Sequence, residues 1–167
     1  MAATATKEKL HATKIDLPEK ARRDLVALCN QALADAFDLY SQAKQAHWNV
    51  KGMDFHQLHE LFDEVADAVL PFADQFAERA ATLGGVALGT VRLAAKASQL
   101  KEYPAGLTKG QDHVEAVRDR LAAWCGALRE AIDKAEDLGD PTTADLFTEA
   151  SRVADLQLYF VESHLQG

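Results

Sequence analysis

The chain has 167 residues, of which 48% are hydrophobic, 7% aromatic and 26% charged, and its 26 acids against 18 bases leave a net charge of -8. That length suits one domain with a sizeable core, and the composition excludes wholesale disorder and favours helices over a β-sandwich. No apolar run approaches the ~20 residues needed to span a bilayer, Met1 to Leu10 lacks the hydrophobic region of a secretion signal, and an acidic body repels nucleic acid and membrane while attracting cations.

Residues 1–16 read as a mobile tail, rich in Ala, Thr and Lys without a sustained apolar period, and residues 17–167 as one domain. Pro18 suits a first helical turn, and Leu25, Leu28, Ala32, Leu33, Phe37 and Tyr40 then recur at three and four, giving a first helix to about Asn49. Val50 to Asp54 breaks the period, with Gly52 as the turn residue and Asp54 as the expected cap of a second helix. That helix runs to about Leu83, where Gly84-Gly85 stops it. A short helical stretch is expected around Val91 to Ser98, followed by a loop at Tyr103-Pro104-Ala105-Gly106. Thr108 with Gln111 reads as a capping box for a third long helix, to about Leu138. Gly139-Asp140-Pro141 ends it and caps a fourth, which continues to the C-terminus. The expected fold is all-α: a four-helix bundle with a short extra helix in the connection between helices two and three. Cys29 and Cys125 lack metal-ligand spacing and read as reduced, buried cytosolic thiols.

The second helix carries two patterns. With His59 at zero and about 100° per residue, Leu58, Leu61, Val65, Val69, Phe72, Phe76 and Leu83 fall together as a core stripe. His59, Asp63, Asp74 and Glu78 cluster nearly opposite, beside a line of Ala66, Leu70, Ala73 and Ala77 that would let another helix approach closely. Any one of these polar residues alone suits a solvated face; two pairs beside a small-residue line point to metal. His47, near the end of the first helix, comes to the same end of the hairpin as His59. A capping or packing role is the competing reading for it.

Asp63 and Asp74 are eleven residues apart, about 16 Å along a helix, so they cannot hold the same ion or a pair ~3.5–4 Å apart. One chain supplies two half-sites, and an antiparallel copy of the helix, its two-fold axis near Ala68 and Val69, would bring unlike halves together. Two imidazoles with three carboxylates favour Fe(II), although Zn(II) and Mn(II) would also bind.

The stretch Gln45-Ala46-His47-Trp48-Asn49-Val50-Lys51-Gly52, followed by Phe55, His59-Glu60 and Asp63, resembles the signature of the Dps family of mini-ferritins. So do Asp74 to Gly85, Val86 to Thr90, Tyr103-Pro104 and Ala150-Ser151-Arg152, so that the likeness spans nearly everything after Pro18. The resemblance implies a ferritin-like bundle assembled into a hollow homododecamer with two-fold and three-fold interfaces. It implies ferroxidase sites made by His47, His59 and Asp63 of one subunit with Asp74 and Glu78 of its neighbour. It further implies oxidation of Fe(II) by hydrogen peroxide in preference to oxygen, storage of Fe(III) mineral in the cavity, and protection of DNA in a cytoplasmic, nucleoid-associated setting. Asp140, Asp145 and Glu149 resemble the family's acidic three-fold pore, although acids at a helix start are favourable there in any case. Lysine-bearing tails of the family bind DNA without sequence preference; here Lys7, Lys9 and Lys14 would make that contact, against Glu8 and Asp16, and a merely solubilising tail is the competing reading. Trp48 reads as an interface anchor or an interceptor of oxidising equivalents.

Departures from the family pattern are Asp67 on the ligand face, Pro71 inside the second helix with an expected kink, and Gln157 and Tyr159 in the last helix. A di-iron site within one subunit would need paired Glu-x-x-His motifs on core faces, and the match from Glu8 to His11 lies in the tail.

Overall fold

A computed structural model describes residues 10–166. The described residues form five helices: α1 (Glu19–Asn49), α2 (Phe55–Thr82), α3 (Val91–Ala97), α4 (Gly110–Asp137) and α5 (Pro141–Ser163). The four long helices make the bundle, with α1 against α2 and α4 against α5 as the most extensive pairings, and α3 is the expected short helix in the long connection. None of the described helices is long and apolar enough to cross a membrane.

The α2 core stripe is buried throughout, from Leu58 to Leu83. It meets Trp124 of α4 and Phe147 of α5, with the Phe76 and Phe147 rings stacked at 5.1 Å between centroids. Burial of these rings together with the aliphatic side chains around them is the main stabilising contribution of these elements. Ala66 and Ala73 are buried in the chain's own core as well, so the helices that the small-residue line lets approach include those of the same bundle. Their small side chains let the bundle's own helices approach, and Leu70 alone of that line is exposed, at 38%. Pro71 sits on an exposed face, and α2 continues through it without a break.

Several local expectations give way to longer-range contacts. Asp54 stands at the N-cap of α2 without a side-chain cap bond. α4 begins at Gly110 after an N-cap at Lys109 that likewise makes none, so no Thr108 capping box forms; the Thr108 carbonyl instead accepts the Lys51 N–H at 3.0 Å. Asp140 does cap α5, through the N–H groups of Thr142 and Thr143, with Pro141 in the first turn. The stretch read as tail is held against the bundle from Leu10 onward, and residues 1–9 of it lie outside the described residues. Leu10 and Leu17 pack against the core, and the His11 N–H donates to the Gly84 carbonyl at 2.7 Å. Gly84 has φ +90°, and a Cβ there would lie 2.6 Å from the His11 carbonyl oxygen, so glycine permits both the turn and the docking of this segment.

The α3 connection is pinned by buried polar groups. Arg120, 4% exposed, donates to Gln42 and to the carbonyls of Lys101 and Glu102. The Tyr103 hydroxyl lies 2.6 Å from His113 Nδ1; burial pushes the phenol up and the imidazole down, so the phenol donates to a neutral ring. Cys29 and Cys125 are buried free thiols, and burial pushes both up to about 12.

Candidate metal centre

The turn between α1 and α2, with Gly52 at φ +118°, brings the end of one helix against the start of the next. His47 and His59 interlock there. His47 Nδ1 lies 2.7 Å from the His59 carbonyl oxygen, and His59 Nδ1 lies 2.8 Å from the His47 carbonyl oxygen. The rings stack at 3.6 Å with 20° between planes. A carbonyl only accepts, so each Nδ1 donates a proton to it, which fixes the ring and leaves Nε2 as the atom outside the lock. This second-atom hydrogen bond is how proteins orient an imidazole for a metal. Phe55 packs at 5.1 Å from the His59 ring.

Asp63 stands one turn beyond His59, its Oδ1 4.0 Å from His47 Nδ1. Lys44, three residues before His47 and hence on the same side of α1, hydrogen-bonds the same carboxylate oxygen. That bond, aided by the nearby imidazoles, holds Asp63 below the usual carboxylate range, and Asp63 in turn raises the Lys44 ammonium. Asp67 is exposed and adds to the field that favours the Lys44 charge. Lys44 was missed in the sequence reading, although its position one turn before His47 marked it.

Asp74 and Glu78 are exposed further along α2, and with the exposed Asp67 and Leu70 they continue at helical spacing the line that starts at the half-buried Asp63. Among the described residues of a single chain, no group of three or more His, Cys, Asp or Glu is arranged to hold a metal ion. The donors thus stand as two separate groups: two imidazoles with a carboxylate, and two carboxylates. Trp48, 61% exposed, neighbours the first group.

Of the acids read as pore residues, Asp145 and Glu149 are exposed. Asp140 is not: at 3% exposure it caps α5 and pairs with Arg79 at 2.7 Å, so its carboxylate is committed within the fold. Lys14 is exposed, whereas Lys7 and Lys9 lie outside the described residues.

Comparison with known proteins agrees with this architecture. A model of the ferritin-like domain matches residues 26–167. The DNA protection during starvation protein of Agrobacterium fabrum is 42% identical over 158 residues, spanning 95% of this chain and 98% of that protein. Among solved structures, DpsC from Streptomyces coelicolor superposes with a TM-score of 0.89 at 30% identity, covering 93% of this chain and 91% of its own. Dps from Microbacterium arborescens, in its high iron form, gives a TM-score of 0.85 at 31% identity over 93% of this chain and 100% of its own. The fold and these matches define a ferritin-like protein. Within that class the chain belongs to the Dps family.

Proposed function

We propose that this Dps-family protein is a ferroxidase and iron store, with its sites shared between subunits. The observation that carries the reading is the reciprocal His47–His59 lock. It holds two imidazoles, each anchored through Nδ1, beside the Asp63 carboxylate, a donor set suited to Fe(II), while stopping short of a full site. Asp74 and Glu78 of an antiparallel neighbour complete it, and a homododecamer with two-fold and three-fold contacts encloses the mineral cavity. Ferrous iron and hydrogen peroxide are the substrates: two ferrous ions and two protons reduce one peroxide to two waters, leaving two ferric ions. This chain's residues bind and hold the two ions so that both electrons pass to one peroxide, which avoids a one-electron step and hydroxyl radical. DNA is thereby protected in the cytoplasm. Asp145 and Glu149 attract iron at the three-fold entry. Any direct DNA contact falls to the N-terminal lysines, because the chain as a whole is acidic.

The test is anaerobic loading of the purified assembly with Fe(II), followed by stopped-flow mixing with peroxide or with oxygenated buffer. Much faster oxidation by peroxide is expected. Equal rates would remove the peroxide-detoxifying role and leave storage; absence of stoichiometric Fe(II) binding would remove the ferroxidase site.

A further inference from the structure

Asp140 joins the turn before α5 to the end of α2. Its Oδ1 accepts the N–H groups of Thr142 and Thr143 at 3.2 and 3.3 Å. Its Oδ2 accepts from Arg79 Nη2 at 2.7 Å and from the Thr143 hydroxyl, and that hydroxyl oxygen accepts from Arg79 Nε at 2.8 Å. Asp140 and Thr143 are both buried. Burial opposes ionisation of Asp140, but the bonds from Thr143 and Arg79 outweigh it and hold the carboxyl below its ordinary value.

Capping does not explain the charge, since Asn caps a helix about as well as Asp. Nor does stability, since a buried ion pair commonly contributes no more than an apolar replacement. What the charge accomplishes is to fix Arg79. Arg79 directly follows Glu78 in the last full turn of α2, where an unsupported helix would fray. Arg22 and the His11 N–H hold the chain just beyond, through the Leu83 carbonyl at 2.9 Å and the Gly84 carbonyl at 2.7 Å. Those two contacts grip the exit of the helix, whereas the guanidinium grips its rotation, one residue from Glu78.

We propose that Asp140 is a positioning residue for the Asp74–Glu78 half-site: through Arg79 it fixes the rotation of the last α2 turn and so the direction in which Glu78 presents its carboxylate. The proposal rests on Glu78 being a metal ligand, as read above. It gives the acid a role inside the fold instead of at a pore, and it makes the α4–α5 turn part of the apparatus that shapes the metal site.

The experiment is anaerobic titration of the whole assembly with Co(II), a spectroscopic substitute for Fe(II), in wild type, Asp140→Asn, Arg79→Gln, the double variant and Glu78→Ala. Asp140→Asn keeps a cap and should keep the helical content and the assembly, while Co(II) affinity falls roughly ten-fold, the lower end for groups that support a ligand from behind. Arg79→Gln should match it, and the double variant should be no worse than either, because both remove one contact. Unchanged affinity in the folded single variants, or additive losses in the double, would overturn the proposal. Failure of both single variants to fold would make the contact a fold determinant and overturn it equally. If Glu78→Ala binds Co(II) like wild type, the ligand reading itself has failed, and that result is separable from the others.

Discussion

On the proposed function, Lys44 holds a carboxylate that a ferrous ion would take. Its ammonium bonds Asp63 Oδ1, with the lysine side chain 19% and the aspartate side chain 40% exposed. An ion pair at such exposure is worth about 0.2–1 kcal/mol, so displacing it weakens metal binding by roughly 1.4- to 5-fold. Removing the ammonium also removes a positive charge beside the incoming dication, an effect of the same sign. Without Lys44, Asp63 rises toward the ordinary carboxylate range, still far below pH 7, so it remains ionised and available. Lys44→Met should therefore tighten anaerobic Fe(II) or Co(II) binding at pH 7 by at least the lower figure, and the gain should shrink as salt screens the pair. Isothermal titration of the assembly at low and at moderate ionic strength measures both. Weaker binding in Lys44→Met would refute the reasoning and make the lysine a support for the site in place of a competitor.

Other expectations follow from burial and from the tail. Neither Cys29 nor Cys125 should react with an aromatic disulfide reagent in the native protein at pH 8, because burial pushes both thiols up to about 12; two thiols should appear on unfolding, and rapid native reaction would contradict their placement. Phe76→Ala should lower stability by about 3–5 kcal/mol, since Phe76 is fully buried against Phe72 and Phe147, and chemical denaturation with a loss below about 1 kcal/mol would contradict that packing. Deleting residues 1–9 together with Lys14→Ala, which spares the docked segment from Leu10, should abolish any low-salt gel shift with DNA and leave iron oxidation intact. A shift that survives both changes would place the DNA contact elsewhere.

Periodicity carried most of the fold. The buried line from Leu58 to Leu83, the short α3 and the Asp140 cap were legible because each depends on residues within a few positions of one another. The failures are all long-range. Thr108 looked like a helix cap, but its carbonyl is claimed by Lys51 and α4 starts two residues later. Leu10 to Asp16 looked like free tail because its partner, Gly84, lies far along the chain. The alanines of α2 were read as a line another helix could approach, but a wheel gives direction without saying which helix stands there; the chain's own core takes Ala66 and Ala73. At the candidate site the residue types and their common end of the hairpin were readable. The reciprocal imidazole–carbonyl lock was not, since it depends on the angle of the turn at Gly52. Beyond its cap, Asp140 was grouped by resemblance with Asp145 and Glu149 as a pore acid, whereas its position against Arg79 and Thr143 buries it.

The central claim is that each site is made by two subunits, and complementation tests it most directly. Asp63→Ala should disable both sites of a homodimer, because each uses one copy of that half, and Glu78→Ala should weaken or disable both for the same reason. In a mixed dimer the two lesions fall on one site and spare the other. With random pairing half the dimers are mixed, and roughly a quarter of wild-type sites return. The measurement is peroxide-driven Fe(II) oxidation by the co-expressed variants, with native mass spectrometry establishing that mixed assemblies have formed. Recovery toward a quarter of wild-type activity, above either variant alone, is the predicted result. Activity no higher than that of the better single variant would contradict the shared-site account, since a site within one chain would carry a lesion in every copy.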